Sequence, residues 1–334
     1  MNTPLEQRPT THVPLDHHSA VQVAADQARA LARRCGMTGS LPEQAAVLAS
    51  ELASNIDKHA RGGALYLQPA PLRGGVDIIA ADHGPGIADI PLSLTDGYST
   101  ADTLGAGLGA VNRIATRFTI RSSPQHGTLA HAFLAQPNGA QRPHPDAGAL
   151  CLSAPREADC GDGYAITRHG HTHTALVVDG LGHGPHAAEA AHQALRAFHA
   201  HAQAPLTDIL HALHTALRPT RGAAAAALRM HANRAEYCGI GNIRATAHSV
   251  HGIHSQHTGQ AGILGHHAPA PRVQHVDLHD ATSLIVHTDG IDHRWTHTPS
   301  AAQLHLPPSL LATHLAHTHR RYRDDATVLV FGAL

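Results

Sequence analysis

Between Gln136 and Ala149 the chain reads QPNGAQRPHPDAGA, rich in Pro and Gly and without hydrophobic periodicity, so neither a helix nor a strand pattern continues through it. That interruption argues against one continuous core. At 334 residues the chain is also longer than a single core usually fills. The sequence therefore predicts two domains, residues 1–135 and 150–334, with residues 136–149 as a linker.

Charge says little about partners. The formal net charge is -1, and no basic stripe with interleaved aromatics is present, so the reading expects no nucleic-acid groove and no anionic membrane surface. No run approaches the roughly 18 apolar residues of a membrane span, and the start, MNTPLEQRPTTHVPLDHH, is polar where a secretory signal is apolar. A cytoplasmic protein is expected. Cys35, Cys151, Cys160 and Cys238 lack CxxC spacing and read as reduced thiols without a catalytic role. Histidine is the oddity, with 34 residues spread along the chain and one dense patch in RHGHTHT at His169, His171 and His173. A metal site is one reading of that patch; a solvated hairpin tip between two strands is the expectation.

The first domain opens with helical patterns. Asp16 to Cys35 places Val21, Ala24, Ala28, Leu31 and Cys35 at a spacing near 3.6. The second helix is predicted from about Pro42 to Ala60: Ser40 and Glu43 read as a capping box, Gly62 and Gly63 close the far end, and Ala45, Leu48, Ala49, Leu52 and Ile56 form the buried stripe. Strand-like runs follow at residues 64–68 and 75–82, then a Gly-rich loop, a helix near Ala110, and the strands FTIRSS and TLAHAFLA.

On that second helix, Glu51, Asn55 and Lys58 stand at i, i+4 and i+7 and share one face. Lys58 is the single lysine among 24 Lys and Arg residues, a compact ammonium where the chain otherwise chooses guanidinium. This suggests a point charge meeting a phosphate. The next strand delivers Asp82 into DHGPGIAD, where Gly84 and Gly86 would let backbone approach a flat ligand and the carboxylate could accept from an amine. DGYSTADTLGAGLGAV then offers Gly105, Gly107 and Gly109 ahead of a helix, with backbone N–H groups suited to phosphate. A GxGxG by itself is a common flexible loop, and Glu51 with Lys58 by itself is a surface ion pair worth a few tenths of a kcal/mol. The ordered set is more specific than its parts.

With those motifs in place, the segment from about Pro42 to Leu134 resembles the GHKL (Bergerat) ATP-binding domain, and within it the RsbT-like anti-sigma serine kinases. The resemblance implies Glu51 as general base, Asn55 as Mg²⁺ ligand and Lys58 near the phosphates. It also implies Asp82 on the adenine amine, Gly84 and Gly86 shaping that pocket, Gly105, Gly107 and Gly109 in a lid over the triphosphate, and Thr128, after Gly127, supporting the adenine end. ATP with Mg²⁺ is the implied ligand.

The second domain shows many strand-like runs, GYAITRH, TALVVDG, GAAAAALRM, SLIVHTDG and ATVLVFG, with helices after Pro185, after Pro205 and over Pro308 to Arg320. Two strands end in Asp-Gly, at Asp179 and Asp289, and Asp324 with Asp325 precede the last strand. A lone Asp-Gly is more often a hairpin turn. Carboxylates converging at strand ends are instead the oxygen donors that Mg²⁺ or Mn²⁺ requires. GDGYAI, VVDGLGHG, RGAAAAAL, CGIGNI, GILG, HTDGI and RDDAT resemble the metal-dependent SpoIIE-type (PPM) phosphatases, more narrowly the RsbX-like ones. The resemblance implies Asp179 bridging two metals, Mn²⁺ or Mg²⁺, with the Gly180 carbonyl, Asp289 and Asp324 as further ligands and Asp162 in an outer-shell or third-metal role. Asp324 or Asp325 carries the last contact, the family's D-[DN]-x-T placing the ligand first. His287 stands where such enzymes usually have serine. RGAAAAAL and GIGNI read as core alone.

Together the resemblances imply an α+β chain: a two-layer α/β sandwich of the GHKL type, then a four-layer αββα sandwich of the PPM type. They imply a bifunctional partner-switching regulator of stress or sigma-factor signalling. One domain would phosphorylate a Ser or Thr of a STAS-domain antagonist or scaffold protein, and the other would hydrolyse such a phosphate. The alternative is a nucleotide-dependent binding module that sequesters a regulator, or engages another regulatory phosphatase, without phosphoryl transfer. Glu51 separates the two, since a binder needs the pocket and no base.

Overall fold

The computed structural model describes residues 9–60, 62–95, 107–136, 147–155, 157–231, 234–278 and 283–332. Its contacts group Thr10–Pro143 into one unit and His144–Leu334 into another. Both are α+β.

In the first unit, β1 (Thr11–Pro14), β2 (Gly63–Pro69), β3 (Gly75–Asp82), β4 (Arg117–Ser123) and β5 (Gly127–Ala135) form an antiparallel sheet in the order β1-β2-β3-β5-β4. Helices α1 (Ala20–Arg34), α2 (Leu41–His59) and α4 (Gly107–Ile114) pack on it, while α3 (Ile90–Ser93) is a single turn. The predicted stripe on α2 is the buried one: Ala45, Leu48, Ala49, Leu52 and Ile56 meet Ala24, Ala28 and Leu31 of α1 and Leu65, Leu67 and Ile78 of the sheet. Removing each such Leu from water stabilises the unit by about 2 kcal/mol.

Two local expectations change. Ser40 makes no side-chain cap and has helical angles (φ -82°, ψ -9°), whereas a capping serine needs extended backbone. Glu43, expected to close the box, is drawn to the guanidinium groups of Arg29, at 2.8 Å, and Arg33, at 3.4 Å. Strand β1 is the second change. Its polar sequence THVP hides a strand whose Val13 lies opposite Leu65 and is buried.

The second unit stacks two antiparallel sheets. One has the order β13-β10-β9-β8-β7, from β7 (Asp162–His169), β8 (Thr172–Gly180), β9 (Ala223–His231), β10 (Arg234–Ile240) and β13 (Gln274–Asp277). The other has the order β12-β11-β14-β15-β6, from β6 (Ala147–Leu152), β11 (Arg244–Ser249), β12 (Gly252–Thr258), β14 (Ser283–His287) and β15 (Ala326–Gly332). Helices α5 (Pro185–His201) and α6 (Leu206–Leu217) cover the first sheet, and α8 (Pro308–His319), after the one-turn α7 (Ala301–Leu304), covers the second. The layers run helix, sheet, sheet, helix.

Because β6 begins at Ala147 and pairs with β15, residues 147–149 are strand and not linker. The alanine run of β9 is central, and its side chains at Ala225 and Ala227 are buried against α5, α6 and β8. The patch RHGHTHT is the β7–β8 hairpin: His169 faces Thr172 across the turn, Gly170 takes φ +61°, and His169 and His171 are exposed. His173 is already inside β8 and buried. Cys151 and Cys160, far from any CxxC spacing, meet with their sulfurs 3.6 Å apart. Among the described residues no helix is long and apolar enough to cross a membrane.

Candidate functional sites

In the first unit a cavity of about 470 Å³ opens between α2, the end of β3, the loop after it and the start of α4. Its wall carries Glu51, Asn55 and Lys58 from one face of α2, Asp82 and Thr128 from the sheet, and apolar Ile56, Ile87, Leu108 and Ile120. Gly84, Gly86 and Gly107 also line it. Gly109 does not; it is buried within α4. Gly105 lies outside the described residues.

Burial raises the Glu51 carboxyl above its ordinary value, against the opposing pull of the Lys58 charge and a hydrogen bond from the Gly107 backbone. Burial likewise raises Asp82, although its Oδ1 accepts from the backbone N–H of Gly84 at 2.7 Å and of Thr128 at 3.2 Å. Those two bonds fix the carboxylate and leave Oδ2 to face a ligand. The side-chain amide nitrogen of Asn55 is buried and has no partner among the described residues. A buried amide left in that state costs about 1–3 kcal/mol, which argues for a ligand that completes it.

The glycines after Asp82, besides lining the cavity, meet a packing need. A Cβ on Gly84 would stand 2.9 Å from the Ala60 Cβ, and one on Gly86, at φ +77°, would stand 2.7 Å from the Ser123 backbone. Protein atoms fill those positions, so these glycines let the loop close against α2 and the β4–β5 turn. A carboxylate, an amide and an ammonium on one helix face, with a helix N-terminus opposite and an apolar slot beyond, suit an adenine nucleotide carrying a divalent cation.

In the second unit the expected acidic residues gather at the strand ends. Asp162 opens β7 and pairs in register with Asp179 near the end of β8; Asp289 follows β14, and Asp324 and Asp325 precede β15. Neither Asp-Gly is a hairpin. A Cβ on Gly180 would fall 2.3 Å from the Ala187 carbonyl, and one on Gly290 would fall 1.8 Å from that of Asp325, so tertiary packing demands both glycines.

The carboxylates divide by their partners. Asp325 is buried and accepts from the Ala154 N–H at 2.7 Å and the Gly161 N–H at 2.8 Å, so both its oxygens anchor backbone. Asp162 is buried and accepts from the Thr288 hydroxyl at 2.7 Å. Burial raises it well above the usual carboxylate range, and the Asp179 charge adds to that. Asp179 is pushed up to about 8, first by burial and then by the charges of Asp289, Asp324 and Asp325. Asp324 is raised by burial and by Asp289, and lowered by the hydrogen bond it accepts from the Asp325 N–H at 3.0 Å and, less, by the charge of His183. Sequence reasoning missed Asn242, whose amide donates to Asp289 Oδ2 at 2.8 Å and also hydrogen-bonds to Asp179. It sits in GIGNI, taken as core alone; an amide directly after Gly241, beside a strand end, was the available signal.

Among the described residues no three His, Cys, Asp or Glu side chains stand arranged to close on one ion. The chemistry of the set nonetheless fits a hard divalent cation: oxygen donors only, mutually repelling, with Asp324 accepting a single backbone bond, from the Asp325 N–H at 3.0 Å, where Asp325 spends both oxygens on backbone.

Residues 169–333 match the family described as Stage II sporulation protein E (SpoIIE). In its N-terminal region the chain is 43% identical over 86 residues to the serine/threonine-protein kinase RsbT of Bacillus subtilis (strain 168), a match covering 25% of this chain and 65% of that relative's length. Among solved structures, a chain described under "The bacterial stressosome: a modular system that has been adapted to control secondary messenger signaling" superimposes with a TM-score of 0.51 at 27% identity, over 56% of this chain and 99% of that one. RsbX in complex with magnesium superimposes with a TM-score of 0.50 at 22% identity, over 58% of this chain and 98% of that one, a likeness of fold.

Proposed function

We propose that this chain, a fusion of an RsbT-like N-terminal region with a SpoIIE-type C-terminal domain, is a cytoplasmic partner-switching regulator with two opposed activities. The first domain transfers the γ-phosphoryl group of ATP to a Ser or Thr of a STAS-domain antagonist, and the second, from β6 onward, hydrolyses a phosphoserine or phosphothreonine on that protein or a related one. The observation that supports it most is the convergence of Glu51, Asn55 and Lys58 from a single helix face on one cavity with Asp82 at its other end.

In the kinase step the acceptor hydroxyl forms a bond to the γ-phosphorus as the bond to the β-phosphate oxygen breaks, and Glu51 takes the hydroxyl proton. Burial makes Glu51 a stronger proton acceptor than a surface glutamate, while Lys58 keeps the ionised form accessible. Lys58 presents its ammonium to the phosphates, and Asp82 Oδ2, held by the two bonds to Oδ1, accepts from the base amine. Asn55 would hold Mg²⁺, which supplies positive charge against the phosphate oxygens.

In the second domain Asp179, the Gly180 carbonyl, Asp289 and Asp324 would hold Mn²⁺ or Mg²⁺, whose charge acidifies water and stabilises phosphate oxygens. Asn242 orients Asp179 and Asp289. Asp325 fixes the backbone at Ala154 and Gly161, and Asp162 with Thr288 ties β7 to the end of β14.

The deciding experiment incubates the full chain with Mg-ATP and a STAS-domain protein, follows phosphate on the acceptor, then adds Mn²⁺ and follows its release. Transfer and release support both halves of the proposal. No transfer, with a tight complex formed in the presence of nucleotide, would replace the kinase by sequestration.

A further inference from the structure

At the base end of the nucleotide cavity, Asp82 and Thr128 lie side by side, joined by the Thr128 N–H bond to Asp82 Oδ1. Behind them, Ser122 on β4 stands directly opposite Thr128 on β5. Ser122 does not line the cavity. Its Oγ accepts from the Ile87 N–H at 2.8 Å, lies 2.9 Å from the Thr128 hydroxyl oxygen, and is 3.4 Å from the Gly127 carbonyl.

A serine hydroxyl has one hydrogen and two lone pairs. One lone pair is taken by Ile87, so the hydrogen has a choice between Thr128 and Gly127. The Ser122–Thr128 bond can run either way, but only with Ser122 donating at 2.9 Å are both hydroxyl hydrogens well placed once an acceptor stands in the cavity; the reverse leaves Ser122 only the 3.4 Å contact to the Gly127 carbonyl, beyond the usual O–H···O range. Thr128 then receives a bond from behind, and its own hydrogen is directed into the cavity. The cavity thereby offers an acceptor at Asp82 Oδ2 beside a donor at Thr128.

An adenine ring edge carries the complement, an amine that donates next to an unprotonated ring nitrogen that accepts. Hypoxanthine carries the reverse, a carbonyl next to a ring N–H. We infer that Ser122 is a positioning residue that holds the Thr128 hydroxyl as a donor and so strengthens the preference of this site for a 6-aminopurine nucleotide over a 6-oxopurine one. The inference rests on the nucleotide reading of the cavity. Asp82 supplies part of the preference by repelling a carbonyl oxygen, and Ser122 supplies the rest through Thr128.

The test measures Mg-ATP and Mg-ITP affinities of the full chain by calorimetry, because the two ligands differ only at this ring edge. Ser122→Ala should lower the ATP-over-ITP ratio about five- to tenfold, the worth of one neutral hydrogen bond. Ser122→Thr, which restores the hydroxyl, should keep the wild-type ratio. Thr128→Val should lower the ratio as Ser122→Ala does, and the double variant should lose no more than either alone. An equal loss for both nucleotides in Ser122→Ala, leaving the ratio unchanged, would show Ser122 merely bracing the Ile87 loop and overturn the inference. Should Ser122→Ala not fold, a wild-type ratio in Thr128→Val would overturn it as well. Wild-type protein that binds neither nucleotide would refute the nucleotide reading itself, a result distinct from an unchanged ratio.

Discussion

The side-chain amide of Asn242 stands 2.8 Å from Oδ2 of Asp289, and the same amide hydrogen-bonds to Asp179. One neutral group thus braces two carboxylates that arrive from different sheets, Asp179 at the end of β8 and Asp289 after β14. Without it, each is free to rotate away from the other's charge. Asn242→Ala should weaken Mn²⁺ binding and phosphoserine hydrolysis by about 10- to 100-fold, the usual range when a group orienting a metal ligand is removed. Activity measured against Mn²⁺ concentration checks this, with partial recovery at high metal; a variant with the wild-type metal dependence would leave Asn242 a surface residue.

Asp179 is the most central of the acidic residues, since Asp289, Asp324 and Asp325 all act on it. Asp179→Asn keeps the shape and deletes the charge. It should abolish hydrolysis of a phosphoserine substrate, while Mg-ATP affinity, set in the other unit, stays at the wild-type value. Phosphatase assays beside calorimetry with nucleotide read the two outcomes separately, and hydrolysis at the wild-type rate would remove Asp179 from the reaction.

Glu51→Ala should retain nucleotide, because Asp82, Asn55 and Lys58 remain on the wall, and should lower transfer to the STAS acceptor by about 10² to 10⁴, the range for loss of a positioned base. Single-turnover transfer with saturating Mg-ATP isolates the step. Undiminished transfer would move the base to another residue.

The parts of the fold that depend on one element's own periodicity were readable from sequence. The α2 stripe from Ala45 to Ile56 and the strand ends at Asp82, Asp179 and Asp289 follow from hydrophobic patterns and from where those patterns stop. Features that depend on a second element were not. Glu43 could complete a capping box only if no guanidinium were near, and Arg29 comes from the neighbouring helix. The packing need at Gly84 and Gly86 was hidden because Ala60 and Ser123 are distant in sequence. Asn242 looked like core because the carboxylates it serves lie on other strands. The adjacent Asp324 and Asp325 give no sequence clue that Asp325 is committed to two backbone amides through both oxygens while Asp324 accepts from one.

His248 on β11 is fully buried between β12 and β14, and burial lowers its pKa below the ordinary histidine value, with a hydrogen bond from the ring to the Ser249 backbone opposing and the charge of His254 acting in the same direction as burial. The folded chain therefore keeps His248 neutral where the unfolded chain, with a pKa of about 6.5, begins to take a proton. Below that pH the unfolded state binds more protons, so stability is fully present above about pH 6.5 and is lost as pH falls toward the lowered folded value. The second unit holds the single tryptophan, Trp295, which is buried, so its fluorescence reports the unfolding of that unit without interference from the first. Urea midpoints followed at Trp295 should fall between pH 7.5 and pH 5.5 in the wild type, and His248→Gln should reduce the size of that fall while leaving the other buried histidines to supply the remainder. An identical fall in the variant would mean that His248 is as readily protonated in the folded sheet as in the open chain.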